Sequence, residues 1–433
     1  MNAESASGSF GLKKLFRLSS PWQRSTALLL FCLLSFVGTA LSAGISDWEI
    51  EKIDGRQYIP ISSLKKFYSL KVASGADSQQ IRLTGEKGII DLRANTRECA
   101  IDGVRIWLSF PALRQNGTWL VSRMDLAKTI EPALRPSWIK GLGKVETVVI
   151  DPGHGGQDSG AASWYGLEKN YALDIAIRVG HVLVKRGIKV ALTRRADYFI
   201  PLEFRAAVPS NFPNSIFVSI HLNASSDGPA GTGIEVFSIA PRGAPSTNDG
   251  YITWASLHEE PGHALDMPSF ALGQSIQTAL MGRLHEVDRG LKRARFAVIR
   301  RATVPSVLVE CGFLTNPQDS RKMATVSHRE AVATAIADGI TDYKQLAENR
   351  KTPRRLADYN KPIADQITLR EDHEGTAPSD VQENGSAGQP APPAFNWLNS
   401  LFPEQTDASR TWTIPLREPS SIRPLSPVLI EKG

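Results

Sequence analysis

The chain has 433 residues, 42% of them hydrophobic and 22% charged, with a formal net charge of +6. That length allows more than one packed core, and that balance excludes a fibrous or wholly disordered polymer. The basic excess sits largely in short runs, Lys13 to Arg24 and Arg289 to Arg301; the second reads as a solvated face, and with no nucleic-acid module beside it no nucleic-acid partner is expected.

Residues 1–44 read as an export signal or signal anchor. Lys13, Lys14, Arg17 and Arg24 precede the apolar run "STALLLFCLLSFVGTALSAG", which closes in small residues suited to cleavage after Ala40, Ser42 or Ala43. The run is near bilayer-spanning length, so an uncleaved segment would be the one route to a membrane. The expected location is the periplasm or cell envelope. Beyond Cys32 in this run only Cys99 and Cys311 remain, too few and too scattered for a disulfide framework.

Residues 45–140 alternate short apolar stretches with Gly and Asn, as in "QYIPISSL", "QQIRLTGEKGIIDLRA", "AIDGVRIWLSF" and "GTWLVSRMDL". This predicts a small β-rich accessory domain with one or two short helices. Its "YIPISSL…LVSRMDLA" halves resemble the copper-amine-oxidase N-terminal-like domain, a non-catalytic module of some secreted wall enzymes.

From 145 to 347 the pattern becomes strands alternating with helices. "TVVID", "IKVALTR", "SIFVSIH", "GIEVFSIA", "FAVIR" and "SVLVE" read as strands. "EKNYALDIAIRVGHVLVKRG", "FALGQSIQTALMGRLHEV" and "SHREAVATAIADGITDYKQL" read as helices, the first with apolar residues at helical spacing and Gly187 to close it. The fold class expected is α/β: a twisted, mostly parallel sheet with helices on both faces, preceded by the small β-rich domain. Residues 348–433 drift to Pro, Ser, Glu and Asn and read as a flexible tail.

In such sheets ligands bind beyond the carboxyl ends of the strands. His154 follows "VVID", His221 ends "FVSIH", Glu310 ends "SVLVE", and Glu168 opens the first long helix. Two imidazoles and two carboxylates meeting there can supply three ligands to Zn²⁺ and one general base. The glycines around His154 then give the backbone a sharp turn and leave room for metal and substrate. Other histidines fit less well. His258 and His263 in "HEEPGH" are five apart with Pro261 and Gly262 between, and His285-Glu286 lacks a second histidine. Cys311 follows Glu310 and is expected to pack on the opposite face.

The stretches "VVIDPGHGGQDSGA", "GLEKNYALDIA", "LTRRADYFIPLEFR", "FVSIHLNAS", "GLKRARFAVIR" and "VPSVLVECGFLTNPQD", in this order, resemble the zinc-dependent N-acetylmuramoyl-L-alanine amidases of the Amidase_3 type. The resemblance runs from Thr147 to the helix ending near Leu346. It implies that His154, Glu168 and His221 ligate Zn²⁺, that Glu310 is the catalytic base, and that Arg205 and Asn223 support the site. The implied activity is hydrolysis of the amide between the muramic acid lactyl group and L-Ala of peptidoglycan, in wall remodelling or daughter-cell separation. A zinc peptidase on the same fold and a non-catalytic peptidoglycan-binding protein are the alternatives. The connection 241–268 is long for an α/β unit. In some members of the family a nearby segment blocks the zinc until an activator protein moves it, and Glu259 or Glu260 is the candidate for that part here.

Overall fold

The computed structural model describes residues 48–73, 79–225 and 230–359. The export run and most of the tail lie outside these residues. Among the described residues no helix is long and apolar enough to cross a membrane.

The accessory stretch contributes strands β1 (Glu51–Ile53), β2 (Arg56–Pro60), β3 (Lys71–Val72), β4 (Gln80–Gly85), β5 (Gly88–Arg93), β6 (Thr96–Ile101), β7 (Val104–Gln115) and β8 (Thr118–Ser122). Helix α1 (Ile61–Tyr68) packs among them on Ile61, Leu64 and Tyr68. The turns that join β5 to β6 and β6 to β7 carry Asn95 and Asp102 at positive φ, a conformation Asn and Asp tolerate better than most residues.

The later stretch supplies β9 (Thr147–Pro152), the two-residue strands β10 (Ala162–Ser163) and β11 (Gly166–Leu167), β12 (Lys189–Leu192), β13 (Ser215–Asn223), β14 (Ile234–Ile239), β15 (Asp288–Ala294) and β16 (Ser306–Phe313). The main sheet runs β12-β9-β13-β16-β14-β15 and then continues into β7-β6-β5-β4-β3. β10 and β11 form a separate antiparallel pair, and from β12 to β15 in the main sheet every neighbouring pair is parallel except β14 with β16. This is the mostly parallel sheet that the alternating pattern predicts.

The two faces follow from the period of two. Val148, Ile150, Ile216, Val218, Ile220, Val236, Val307 and Val309 point to one core. Against them lie α2 (Glu168–Lys185), α4 (Asp266–Arg283) and α6 (Val326–Asn349), with the short α5 (Pro317–Ala324) before α6. Val149, Phe217, Phe237 and Leu308 point the other way, to a thinner layer that includes Val298 and Ile299 of the helical turn Ala297–Arg300. The short helix α3 (Leu202–Ala207) packs beside that turn. The odd-numbered polar residues of β9 and β13, Asp151, Ser219 and His221 among them, point to this thinner face.

Two expectations need correction. "FAVIR" is not a strand: Ala297–Arg300 is helical, and the strand is β15, just upstream. A short apolar run does not separate strand from helix by itself. For the same reason the basic run is not a solvated face at its start. Lys292 and Arg293 are 6% and 1% exposed, Lys292 against Glu235 and Arg293 against Ser238, Ile239 O and Lys128 O. β15 is also the seam between the two stretches: Leu291 pairs with Ile106 of β7, and one apolar core runs through both.

Candidate metal centre

β9 ends at Pro152, and the loop beyond it turns with His154 at φ +58. The glycines here are explained by what surrounds them. A Cβ on Gly153 would lie 2.4 Å from His221 Cε1, and one on Gly160 would lie 2.5 Å from Glu168 Oε2 and 2.6 Å from His154 Cδ2. Much of the room they leave is therefore filled by the site's own side chains.

Four sequence-predicted residues arrive from four segments. His154 comes from the loop after β9, Glu168 from the first position of α2, His221 from the end of β13 and Glu310 from β16. His221 and Glu310 are in register on adjacent parallel strands, on the thin face of the sheet. Glu168 Oε1 lies 3.0 Å from His154 Nε2 and 2.9 Å from His221 Nδ1, and it accepts the Leu222 amide. Its Oε2 accepts the Ala161 amide at 2.8 Å. One ligand atom from each of His154, Glu168 and His221 lies within 4.8 Å of the others, and no other metal-capable cluster occurs among the described residues.

The charges respond to this packing. Burial alone would raise the Glu168 carboxyl, but hydrogen bonds from His154 and His221 hold it well below the usual range. Burial alone would lower His154, and Glu168 with Asp158 raises it instead. Glu310 is pushed well above the usual range by burial and then by the neighbouring Glu168 and Glu235, with Lys292 opposing. Its Oε2 is buried and makes no hydrogen bond to the protein.

A second layer fixes the loop. Arg205 donates to Asp151 Oδ1 at 2.9 Å, to Pro152 O and to His154 O, while Arg194 donates to Pro152 O and Gly153 O. Asp151 also accepts from Thr193 and Ser219. Asn223 donates to Glu235 at 2.8 Å. Asp151, Arg194 and Glu235 belong to this layer, and motif spacing alone did not single them out. Their one signal is a charged residue inside, or at the end of, an otherwise apolar strand.

The insertion behaves differently from expectation. Glu259 pairs with Arg242 and Glu260 with Arg300, so neither acid joins the triad. The segment is tied down elsewhere: Arg97 of β6 donates to the carbonyls of Ser246, Thr247 and Asp249. His263 is turned to the Glu260 amide and Ala240 O, and Cys311 is buried.

Residues 148–342 match the family described as N-acetylmuramoyl-L-alanine amidase. The N-acetylmuramoyl-L-alanine amidase AmiA of Escherichia coli K12 is 34% identical over 255 residues, which cover 53% of this chain and 87% of that protein. The chain belongs to this amidase family. Its reaction class is therefore hydrolysis of a peptidoglycan amide. LytC of Bacillus subtilis 168, another N-acetylmuramoyl-L-alanine amidase, is 36% identical over 198 residues, 46% of this chain and 35% of its own. Among solved structures, AmiC2 of Nostoc punctiforme is 35% identical, covers 47% of this chain and 99% of its own, and aligns with a TM-score of 0.39. The matched part of this amidase begins in β9 and closes in α6, so it contains all four converging residues.

Proposed function

We propose that this amidase is exported and zinc-dependent, and that it cuts the bond between the muramic acid lactyl group and L-Ala in wall remodelling or daughter-cell separation. The observation that carries the reading is the shared Glu168 carboxylate, flanked by His154 and His221 at strand ends, with Glu310 in register beside His221. Two imidazoles and one carboxylate are a donor set of catalytic zinc sites, which keep a fourth position open. The buried Oε2 of Glu310, without a protein partner, suits a group that works on water and substrate. Export is supported by the basic residues and apolar run of residues 1–44.

His154, Glu168 and His221 would hold Zn²⁺, which supplies Lewis-acid polarisation of the amide carbonyl and a lowered pKa for water. Glu310 takes a proton from the water that attacks the carbonyl carbon. As the C–N bond breaks, it delivers that proton to the departing nitrogen of L-Ala. The products are a lactyl carboxylate on the glycan and a stem peptide with a free amino terminus. Arg205 and Arg194 hold the carbonyls of residues 152–154, so the His154 ring keeps its direction without a rigid loop of its own.

Glu259 and Glu260 pair with Arg242 and Arg300, so neither is the group that an activator protein would displace from the triad. Metal analysis of the purified chain tests the ligand set. One zinc per chain in the wild type, retained in Glu310→Gln and lost in His154→Ala and His221→Ala, is the expected pattern. Zinc retained by the histidine variants would sink it.

A further inference from the structure

The base in this reading, Glu310, has no protein partner on its buried Oε2, so something other than a hydrogen bond there must set its direction. On one side its strand neighbour is His221. On the other, β14 runs antiparallel to β16 and places Glu235 directly opposite Glu310. Directly opposed residues share a face, with Cβ atoms about 5 Å apart. The one antiparallel pairing of this part of the sheet therefore puts a second carboxylate beside the base.

Glu235 is 2% exposed, and both of its carboxylate oxygens are taken. Oε1 accepts from Asn223 Nδ2 at 2.8 Å, and Oε2 accepts from Arg289 Nε at 2.7 Å and Lys292 Nζ at 2.5 Å. A buried ion cluster of this kind is seldom a better stabiliser than apolar packing of the same volume, so a site role is the more economical reason to keep it. The cluster is held from the accessory stretch. Trp107 of β7 donates its indole N–H to Arg289 O at 2.9 Å, and its ring centroid lies 6.0 Å from Lys292 Nζ. On the other flank, the Arg289 guanidinium sits 4.7 Å over the ring of Phe313 in β16.

Resting on the amidase reading above, we propose that Glu235 is a positioning residue for Glu310, braced by Lys292, Arg289 and the accessory residue Trp107. Its carboxylate is held opposite Glu310 by Lys292 and Arg289, and its repulsion of Glu310 outweighs the opposing pull of Lys292. Like charges repel strongly where water is excluded, so the Glu310 carboxylate is turned from β14 towards His221, where the amide reacts. The same carboxylate orients Asn223, whose Oδ1 accepts the Ala224 amide while its Nδ2 is given to Glu235. The accessory stretch thereby acts on the chemistry through Trp107.

The test is steady-state kinetics of the full-length chain on a soluble muropeptide, with zinc content and thermal midpoint measured on each sample. Glu235→Gln removes the charge at nearly constant shape. It is expected to lower kcat by about 10- to 100-fold with KM within about 3-fold and zinc retained, the pattern of an interaction felt only in the transition state. Trp107→Phe is expected to lower kcat by about 3-fold or more in the wild type and to add little in the Glu235→Gln background, because both act through one group. Where Glu235→Gln fails to fold, the pair Glu235→Met with Lys292→Met removes both charges together and should show the same kcat loss. Unchanged kcat in a folded, zinc-loaded Glu235 variant overturns the proposal, and so does an equal Trp107→Phe factor in both backgrounds. A zinc-loaded wild type that releases no stem peptide fails the amidase reading itself, and the inference with it.

Discussion

At the scale of single residues, the centre is a carboxylate shared between two imidazoles, and that sharing has a pH signature. Burial alone would raise Glu168 above its ordinary 4.5, but the two rings hold it lower. Its contribution to stability is therefore present above about pH 4.5 and lost as pH falls through the depressed folded value. Burial alone would lower His154 from its ordinary 6.5, but Glu168 and Asp158 raise it. Its contribution is present below about pH 6.5 and lost as pH rises through the elevated folded value. The metal-free protein is thus helped most between those two limits. Zinc needs the imidazoles neutral and competes with the proton, so its stabilising effect should grow with pH. Thermal melts at pH 5.5 and pH 8, with chelator and with zinc, check this; a larger zinc increment at pH 5.5 would contradict it. Replacing Glu310 by Gln should lower turnover by about 10²- to 10⁴-fold, the usual worth of a positioned general base, while zinc content stays at one per chain. The four converging residues are legible in sequence because each closes or opens an apolar element. Asp151, Arg194, Glu235 and Lys292 are not, since what makes them matter is the partner that sheet register supplies, and register is not written in any one strand.

At the scale of elements, the loop from β9 to α2 is built around close approach. Gly160 has φ +62, and an added Cβ would meet both Glu168 and His154. Gly187, after α2, has φ +74 with nothing within 4 Å of an added Cβ. Alanine at either place pays the left-handed penalty of about 1–2 kcal/mol. Alanine at 160 should in addition weaken zinc binding by at least about 10-fold, whereas alanine at 187 should leave it unchanged; competition with a chromogenic chelator reads the difference. Equal zinc affinities would mean that the loop yields to the extra methyl group. Helical periodicity identified α2, whose apolar residues recur on one stripe over several turns, whereas α4 carries no such stripe and is buried at nearly every position from Pro268 to Leu280. Patterning failed at β15, where buried Lys292 and Arg293 break the apolar pattern and their compensation comes from Glu235, Ser238 and two backbone carbonyls.

At the scale of the described molecule, the accessory stretch and the amidase stretch share one sheet and one core. β15 pairs with β7, Lys128 pairs with Asp266, and Arg293 reaches Lys128 O. A fragment comprising residues 145–359 would bare the β15 edge and leave the buried Arg293 short of a partner, both sources of aggregation and instability. It should unfold at a lower temperature than residues 48–359 and give less soluble protein; equal melting temperatures would show that the seam contributes nothing. The composition shift near residue 140 marks where β-rich pattern gives way to α/β pattern, but it carries no sign that the sheet continues across it. That continuity rests on the single pair Leu291 and Ile106 with side-chain bonds around it.

The central claim is a zinc amidase with Glu310 as its base. The direct measurement is mass spectrometry of purified peptidoglycan digested by the zinc-loaded chain, by the chelated chain and by Glu310→Gln. Intact stem peptides beginning with L-Ala, released by the first sample and absent from the other two, are the predicted result. Shortened stems, or release that persists in Glu310→Gln, would contradict it.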